Sequence, residues 1–227
     1  MILPLLLALA TQAGASCATE PKDATPAARA AATQCRGLAL AAGKNWSGAA
    51  QAFEQAAALA PRDRAAGYWA QAGNAWLAGG DTSRAKAALD HALAAGTLAG
   101  LDLGEAQLDH ARVLVAQNDL AGARTDLNAA LVNAPEDPLA WLLSATLARR
   151  MGDLPRAKAD IAHALERASD DASVQLEAGN IAARDGDEAG ARAAWTMAMR
   201  IAPTAPAGIS ARAALSQFGP IPSTVTR

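Results

Sequence analysis

The chain has 227 residues, of which 52% are hydrophobic but only 4% aromatic, so alanine supplies much of the apolar surface. Its formal net charge of -2 at pH 7 argues against a nucleic-acid binder, which normally carries a basic stripe. Alanine is the best helix former, and no segment alternates β-branched with polar residues. We therefore expect an all-α protein with almost no strand.

The first ten residues, MILPLLLALA, form an apolar run that is too short to span a bilayer. Ala13, Gly14 and Ala15 follow it as an A-x-A cleavage pattern. Residues 1–15 are therefore similar to a secretory signal peptide, although no lysine or arginine precedes the run. The alternative is a buried N-terminal helix or an unstructured tail.

Two cysteines, Cys17 and Cys35, follow the proposed cleavage site. An even number in an exported chain predicts a disulfide, which would fold the N-terminal extension at 16–29 back onto the first repeat. Two alternatives stay open: a pair of free thiols with Cys35 buried, or a lipid on Cys17, because small residues precede it as in a lipoprotein signal. Two cysteines without CxxC or HxxxH spacing do not form a zinc site.

A five-fold repeat occupies most of the remaining chain. Each unit holds a triplet Ala-x3-large-x2-Ala, and the large residues, about 34 to 38 positions apart, are Phe53, Leu89, Leu127, Ile161 and Trp195. Upstream of the triplets stand small residues, in chain order Gly37, Gly73, Ala111, Ala145 and Gly179. A turn signal lies between each small residue and the triplet that follows it, namely Lys44-Asn45, Gly80-Asp81, Asn118-Asp119, Gly152-Asp153 and Gly186-Asp187. The pattern predicts two closely packed helices per unit, the second capped by the Asn or Asp side chain.

This pattern resembles the tetratricopeptide repeat, which runs W-x2-L-G-x2-Y, then A-x3-F, then P over about 34 residues. Trp69 and Trp141 match the opening Trp, Trp76 matches the Tyr place, and all five tryptophans fall on packing positions. The resemblance implies a right-handed α-solenoid of five helix-turn-helix repeats. We place the repeats at 30–63, 66–99, 104–137, 138–171 and 172–205.

Three further segments flank or interrupt the repeats. The connection at residues 96–100, between the second and third repeats, is longer than the repeat needs. We expect it to bulge from one edge of the helical array, as an inert insertion or as a contact loop. Residues 206–218 predict a capping helix with Ile209, Ala213 and Leu215 on one face, as such arrays usually end. Residues 219–227 read as a flexible tail.

The sequence holds little that indicates chemistry. His91 and His163 occupy equivalent, solvent-side places in two second helices, and His110 stands in a first helix where leucine is usual. No catalytic triad, phosphate-binding glycine loop or carboxylate pair emerges. We therefore expect neither an enzyme nor a cofactor or metal.

The resemblance implies a concave groove lined by the first helices, where such arrays bind peptides or helices. The side chains expected there are Gln34, Leu38, Asn74, Leu77, Leu108, Arg112, Leu142, Thr146, Arg149, Leu176, Asn180 and Arg184. The three arginines would either face an acidic partner or pair with Glu105, Asp109 and Glu177 on a solvated face. A clamp for the acidic C-terminus of heat-shock chaperones is not expected, because Gln34 and Leu38 occupy the places of its Lys and Asn.

These expectations combine into a non-catalytic scaffold or adaptor of the bacterial cell envelope that binds a peptide or helix of a protein partner. One alternative is a lipoprotein tethered to the outer membrane through Cys17, with an assembly or structural role. Another is the regulatory subunit of an enzyme.

Overall fold

The computed structural model describes Cys17 and residues 24–218, and within this part of the chain it contains eleven α-helices and no β-strand. In chain order they are α1 (Pro26–Ala42), α2 (Trp46–Leu59), α3 (Arg62–Ala78), α4 (Thr82–Ala94), α5 (Gly100–Ala116), α6 (Leu120–Asn133), α7 (Pro138–Met151), α8 (Leu154–Arg167), α9 (Ala172–Asp185), α10 (Glu188–Ile201) and α11 (Pro206–Gln217). The first ten form five antiparallel pairs, which we call first and second helices. The predicted signal peptide and tail lie outside the described residues.

The turn between the two helices has the same backbone conformation in all five pairs. One residue takes a left-handed conformation with φ between 60° and 82°, in chain order Lys44, Gly80, Asn118, Gly152 and Gly186. The next residue is Asn or Asp, and its side-chain oxygen accepts a hydrogen bond from a backbone N–H in the first turn of the second helix. The predicted turn signals are thus confirmed, and they orient the two helices against each other.

Within each pair, the large residue of the second helix packs against the small residue of the first. A Cβ atom added to Gly37 would lie 2.6 Å from Phe53 Cε1, and one added to Gly179 would overlap the Trp195 ring. All of the large residues are at most 6% exposed. The register predicted from the triplets is therefore the packing register of the helices.

The chain divides into two compact units. Unit 1 (Met1–Ala134) contains α1 to α6, and its largest buried side chains include Phe53, Leu89 and Val113. Unit 2 (Pro135–Arg227) contains α7 to α11, with Ile161, Ile181 and Trp195 in its core. Alanine fills most of the remaining core positions in both units.

Two helix starts and one packing face differ from the sequence-based expectation. Helix α1 begins at Pro26 instead of residue 30, because Thr25 caps it and proline fits the first turn. Helix α5 begins at Gly100, four residues before the expected start of the third repeat, and the connection before it is residues 95–99. The expected packing face of α11 is right for Leu215, which packs against the core, and wrong for Ile209 and Ala213, which are exposed. Ile209 is 55% exposed, and Ala211 packs against α10 in its place.

The tryptophans divide into two groups. Trp76 and Trp195 are 3% and 4% exposed, whereas Trp46, Trp69 and Trp141 are half-buried and pack against the margins of the cores. Two of these half-buried rings stack on histidines at equivalent places. The centroids lie 4.9 Å apart for Trp69 and His91 and 4.3 Å apart for Trp141 and His163.

A disulfide joins Cys17 to Cys35 in α1, with Cα atoms 5.7 Å apart and a sequence separation of 18. It belongs to unit 1. None of the described helices is both long enough and apolar enough to cross a membrane.

Candidate partner-binding faces

Polar side chains link successive first helices of unit 1. The Gln34 amide on α1 donates to the Gln71 amide oxygen on α3 over 3.0 Å. Farther along, the Asn74 amide donates to Asp109 on α5 over 2.6 Å, and the Arg112 guanidinium donates to the other oxygen of Asp109 over 2.6 Å. These bonds order the side chains of the first-helix face of unit 1, by which we mean the exposed side of α1, α3 and α5.

A cavity of about 190 Å³ opens on this face between α3 and α5. Its wall includes Gly67, Leu98, Asp102, Glu105 and Asp109. Carboxylates therefore outnumber cations here, which differs from the expectation of a face built for an acidic partner.

One predicted contact residue is misplaced. Leu108 is only 4% exposed, so it belongs to the core of unit 1 and does not face a partner. Its neighbours in sequence explain the error: Asp109 and Arg112 lie on the exposed side, and Leu108 points one helical step away. Leu38 and Leu77 are half-buried against the core and retain some exposed surface.

In unit 2, an arginine–carboxylate pair joins the two first helices. The Arg149 Nε atom donates to Glu177 Oε1 over 2.6 Å, and Nη2 donates to Oε2 over 3.1 Å. The Asn180 amide also donates to Glu177, over 3.2 Å, and its oxygen accepts from Trp195 Nε1 over 3.1 Å. Glu177 is only 6% exposed, so these bonds are what hold a buried carboxylate in place.

The other predicted residues of unit 2 have mixed exposure. Leu142 and Leu176 are half-buried beside the cores, and the Thr146 hydroxyl donates to the Leu142 carbonyl of its own helix over 2.9 Å. Arg184 is exposed, and its side chain makes no hydrogen bond or ion pair with any residue that the structure describes. We call the exposed side of α7 and α9 the first-helix face of unit 2.

The three arginines of the predicted row thus differ in their contacts. Arg112 and Arg149 are paired with Asp109 and Glu177, as the solvated-face alternative expected, and Arg184 remains available. Arg150 was not among the predicted residues; it lies in the last turn of α7 as Arg184 does in α9, and it is also exposed. The repeat spacing of 34 residues relates these two positions and was the signal that could have found Arg150.

Two buried polar pairs replace the usual alanine contact at equivalent places of the third and fourth repeats. His110 Nδ1 lies 2.6 Å from Asp126 Oδ2, and the Ser144 hydroxyl donates to Asp160 Oδ2 over 2.5 Å. His110 Nε2 is 3.2 Å from Asp90, although that carboxylate lies off the direction of a hydrogen bond. These pairs join helices inside unit 1 and inside unit 2, and none of their atoms lies on the first-helix faces proposed above.

One carboxylate of unit 2 has a perturbed pKa. Asp137 caps α7, and its burial raises the pKa, while hydrogen bonds from the backbone N–H groups of Leu139 and Ala140 act in the opposite direction. The described residues contain no cluster of three or more His, Cys, Asp and Glu side chains with metal-binding geometry.

The tetratricopeptide repeat family model matches the chain over residues 70–138, 108–149 and 142–206. Because these windows together cover more than half of the chain, it belongs to the tetratricopeptide repeat family. A comparison with curated protein sequences finds no match.

Solved structures with the same fold are distant in sequence. The chain is similar to YrrB, a TPR protein with an unusual peptide-binding site, with 21% identity over 80% of this chain and 91% of that one and a TM-score of 0.60. PilF of Pseudomonas aeruginosa shows 15% identity over 82% of each chain and a TM-score of 0.69. PilW, a widely conserved type IV pilus biogenesis factor, shows 18% identity over 90% of each chain and a TM-score of 0.68. At these identities the likeness shows the fold: a TPR-type helical solenoid.

Proposed function

We propose that this protein is a non-catalytic scaffold or adaptor that binds a peptide or helix of a protein partner on its first-helix faces. The observation that carries the proposal is the lateral ordering of these faces. Gln34–Gln71, Asn74–Asp109 and Arg149–Glu177 each link one first helix to the next. Side chains that are held before binding lose less entropy on binding, which favours recognition of an extended partner. The peptide-binding site of YrrB, on the same fold, supports this reading.

The charged side chains on each first-helix face indicate the chemistry of the partner that we expect there. In unit 1, the exposed carboxylate of Asp102 beside the cavity favours a segment with polar or basic side chains. In unit 2, Arg150 and Arg184 are the cations available to an acidic residue or a C-terminal carboxylate. Half-buried Leu142 and Leu176 supply apolar contacts on that face. Of the two first-helix faces, only that of unit 2 is therefore proposed to bind an acidic partner.

We place this function in the bacterial cell envelope. The leader-like residues 1–15 and the Cys17–Cys35 disulfide support export, because disulfides persist in oxidising compartments. The alternative is a lipid on Cys17 that tethers the protein to the outer membrane for an assembly role, but it would require the Cys17 sulfur that forms the disulfide in the structure. PilW, which has the same fold, is a type IV pilus biogenesis factor. The mass of the mature N-terminal peptide after non-reducing digestion distinguishes the disulfide from the lipid on Cys17. A Cys17–Cys35 cross-linked peptide supports the disulfide, and a diacylglyceryl mass on Cys17 supports the lipoprotein.

Site-specific photo-crosslinking tests the binding faces. A photoreactive phenylalanine replaces Gly67, where a side chain meets no neighbouring atom, or Arg184, and the full chain is irradiated in the envelope fraction. Matched controls are Val132, which is 79% exposed on α6, and Ile209 on α11. We expect one protein to be crosslinked from Gly67 or Arg184 and not from the controls. Crosslinks from the controls alone would contradict binding on the first-helix faces.

A charge-reversal pair then tests the acidic partner. Arg150→Glu with Arg184→Glu should weaken capture of that protein. Arg200→Glu, in the last turn of α10, is the control that makes one such charge reversal at a helix C-terminus outside the proposed face. Equal capture by both variants would exclude the two arginines from the interface. A regulatory subunit would instead copurify with an activity that the chain itself alters.

A further inference from the structure

Lys44 has an unusual backbone conformation. It occupies the left-handed position of the first turn with φ of 60°, where the other four units have Gly80, Asn118, Gly152 and Gly186. Glycine adopts this conformation without strain and asparagine tolerates it, but lysine does so at a cost in free energy. A strained residue that persists where glycine would serve is a sign of a functional constraint.

The side chain of Lys44 lines a cavity of about 470 Å³ in unit 1. The cavity lies between the turn of the first pair and the turn of the second, and its lining includes Trp46, Trp76, Asp81 and Arg84. None of these residues belongs to the first-helix faces, so this is a separate surface of the protein. Its size is in the range of pockets that hold small ligands or peptide side chains.

Arg84 is held in position from two sides. Its guanidinium carbon lies 4.7 Å from the centroid of the Trp76 ring, and its Nε atom lies 3.5 Å from Asp81 Oδ2. Trp76 is itself fixed, because its indole N–H donates to Glu54 over 2.7 Å. The Arg84 side chain is still 60% exposed, so it retains N–H groups for a ligand.

Lys44 adds a second cation to the cavity. It is exposed, and its side chain makes no hydrogen bond or ion pair with any described residue. Together with Arg84 it outweighs the single carboxylate of Asp81, so the cavity carries a net positive charge. Half-buried Trp46 offers an aromatic surface next to these cations.

The local helix ends argue against a phosphate ligand. Phosphate sites usually use the free backbone N–H groups at a helix N-terminus. Here Asn45 accepts from the Gly48 N–H over 3.1 Å, and Asp81 accepts from the Arg84 N–H over 3.0 Å. Both helix starts beside the cavity are thus capped, and Asp81 would repel a doubly charged phosphate.

We propose that this cavity binds an acidic segment of a protein partner. One carboxylate of the segment bonds to Lys44 and Arg84, and a neighbouring apolar side chain lies against Trp46. The site is independent of the first-helix faces, so either surface binds its ligand without the other. The strained Lys44 is retained because it supplies the cation that a glycine would remove.

The substitution Lys44→Gly tests this directly, because it separates folding from binding. Glycine relieves the left-handed backbone, so the variant should unfold at a higher urea concentration than the wild type. Loss of one charge-assisted bond should weaken binding by about tenfold. Asn118→Gly is the matched control: it makes the same kind of change at the equivalent position of another repeat and should leave binding unchanged.

The probe is a set of labelled heptapeptides in which two glutamates flank one varied apolar residue, titrated against the full chain by fluorescence anisotropy. Matched sets carry glutamine or lysine in place of glutamate. We expect binding only of glutamate peptides, weakened in Lys44→Gly and further in Lys44→Gly with Arg84→Gln. Binding that is equal for the glutamate and glutamine sets, or that Lys44→Gly leaves unchanged, overturns the proposal. Displacement of the peptides by millimolar inorganic phosphate, or Lys44-dependent binding of phosphatidylglycerol vesicles, would assign the cavity to phosphate and also overturn it.

Discussion

The contact between a large residue on the second helix and a small one on the first decides how closely each helix pair packs. A Cβ atom at Gly73 would overlap the Leu89 side chain, which is fully buried. Leu89 has little room to move, because side chains in a core are close-packed. The cost of a methyl group in α3 therefore depends on the face of the helix on which it falls.

We predict opposite effects for the same substitution at two glycines of α3. Gly73→Ala should lower the free energy of unfolding by about 1–3 kcal/mol, because it overpacks the contact with Leu89. Gly67→Ala should raise it by about 0.5–1 kcal/mol, because a Cβ there meets no atom within 4 Å and alanine favours the helix. Urea denaturation of both variants measures the difference. Two effects of the same sign would show that the packing register of α3 is wrong.

The raised pKa of Asp137 predicts a dependence of stability on pH. Because burial raises its folded pKa above the ordinary 3.8, the folded state binds more protons there than the unfolded state. The contribution of Asp137 to stability is therefore present at low pH and is lost as the pH rises through the folded pKa. Asp137→Asn keeps a good helix cap and does not ionise, so its stability relative to wild type should increase from about pH 3 to pH 7.

The control for this prediction is Asp171→Asn, which changes the exposed cap of α9 in the same chemical way. Urea midpoints of the two variants and the wild type are compared across the same pH range. A difference for Asp137→Asn that is constant with pH would show that its burial does not affect its ionisation.

At the scale of the helix, the five second helices share one start. A side-chain oxygen of Asn45, Asp81, Asp119, Asp153 or Asp187 accepts from the third backbone N–H of its helix. Asp187→Ala should therefore cost about 0.5–2 kcal/mol in the free energy of unfolding, and Asp187→Ser should restore most of it. Chemical denaturation followed through Trp195, which packs in the same helix pair, measures both. If serine fails to restore stability, the cap is not the cause.

These local features could be predicted from the sequence because each depends on residues close together in the chain. The turn at Gly186 and Asp187 and the contact of Gly179 with Trp195 both lie within one helix pair. Periodicity alone locates such contacts, since helical spacing fixes which residues share a face.

The sequence could not decide how charged and polar side chains pair. Glu177 was one of the carboxylates expected near the arginines, but the spacing did not show whether Arg149 bonds to it or faces a partner. The face of α11 was mispredicted because Ile209 and Ala211 both suit an apolar face, and only the position of α10 selects Ala211. The buried pair Ser144–Asp160 was missed because a serine in an alanine-rich helix gives no signal of its own.

At the scale of the whole chain, stability is distributed over repeats. In repeat proteins it is approximately the sum of each repeat's own stability and its contacts with its neighbours, so local changes affect nearby helices most. The described residues form two compact units, and the Cys17–Cys35 disulfide lies in unit 1. The disulfide should therefore stabilise the helices of unit 1 more than those of unit 2.

We predict that reducing this disulfide destabilises α1 and leaves α10 nearly unchanged. With a sequence separation of 18, the cross-link removes about 3 kcal/mol of conformational freedom from the unfolded chain in the loop-entropy model. Without it, the amides of α1 should exchange faster with deuterium by up to about a hundredfold, because exchange follows local opening. Mass spectrometry compares wild type with and without reductant. The control is the double variant Cys17→Ser with Cys35→Ser, which should exchange like the reduced wild type and ignore reductant. Equal acceleration in α1 and α10 would mean that the chain unfolds as one cooperative block, and no acceleration would mean that the cross-link does not support α1.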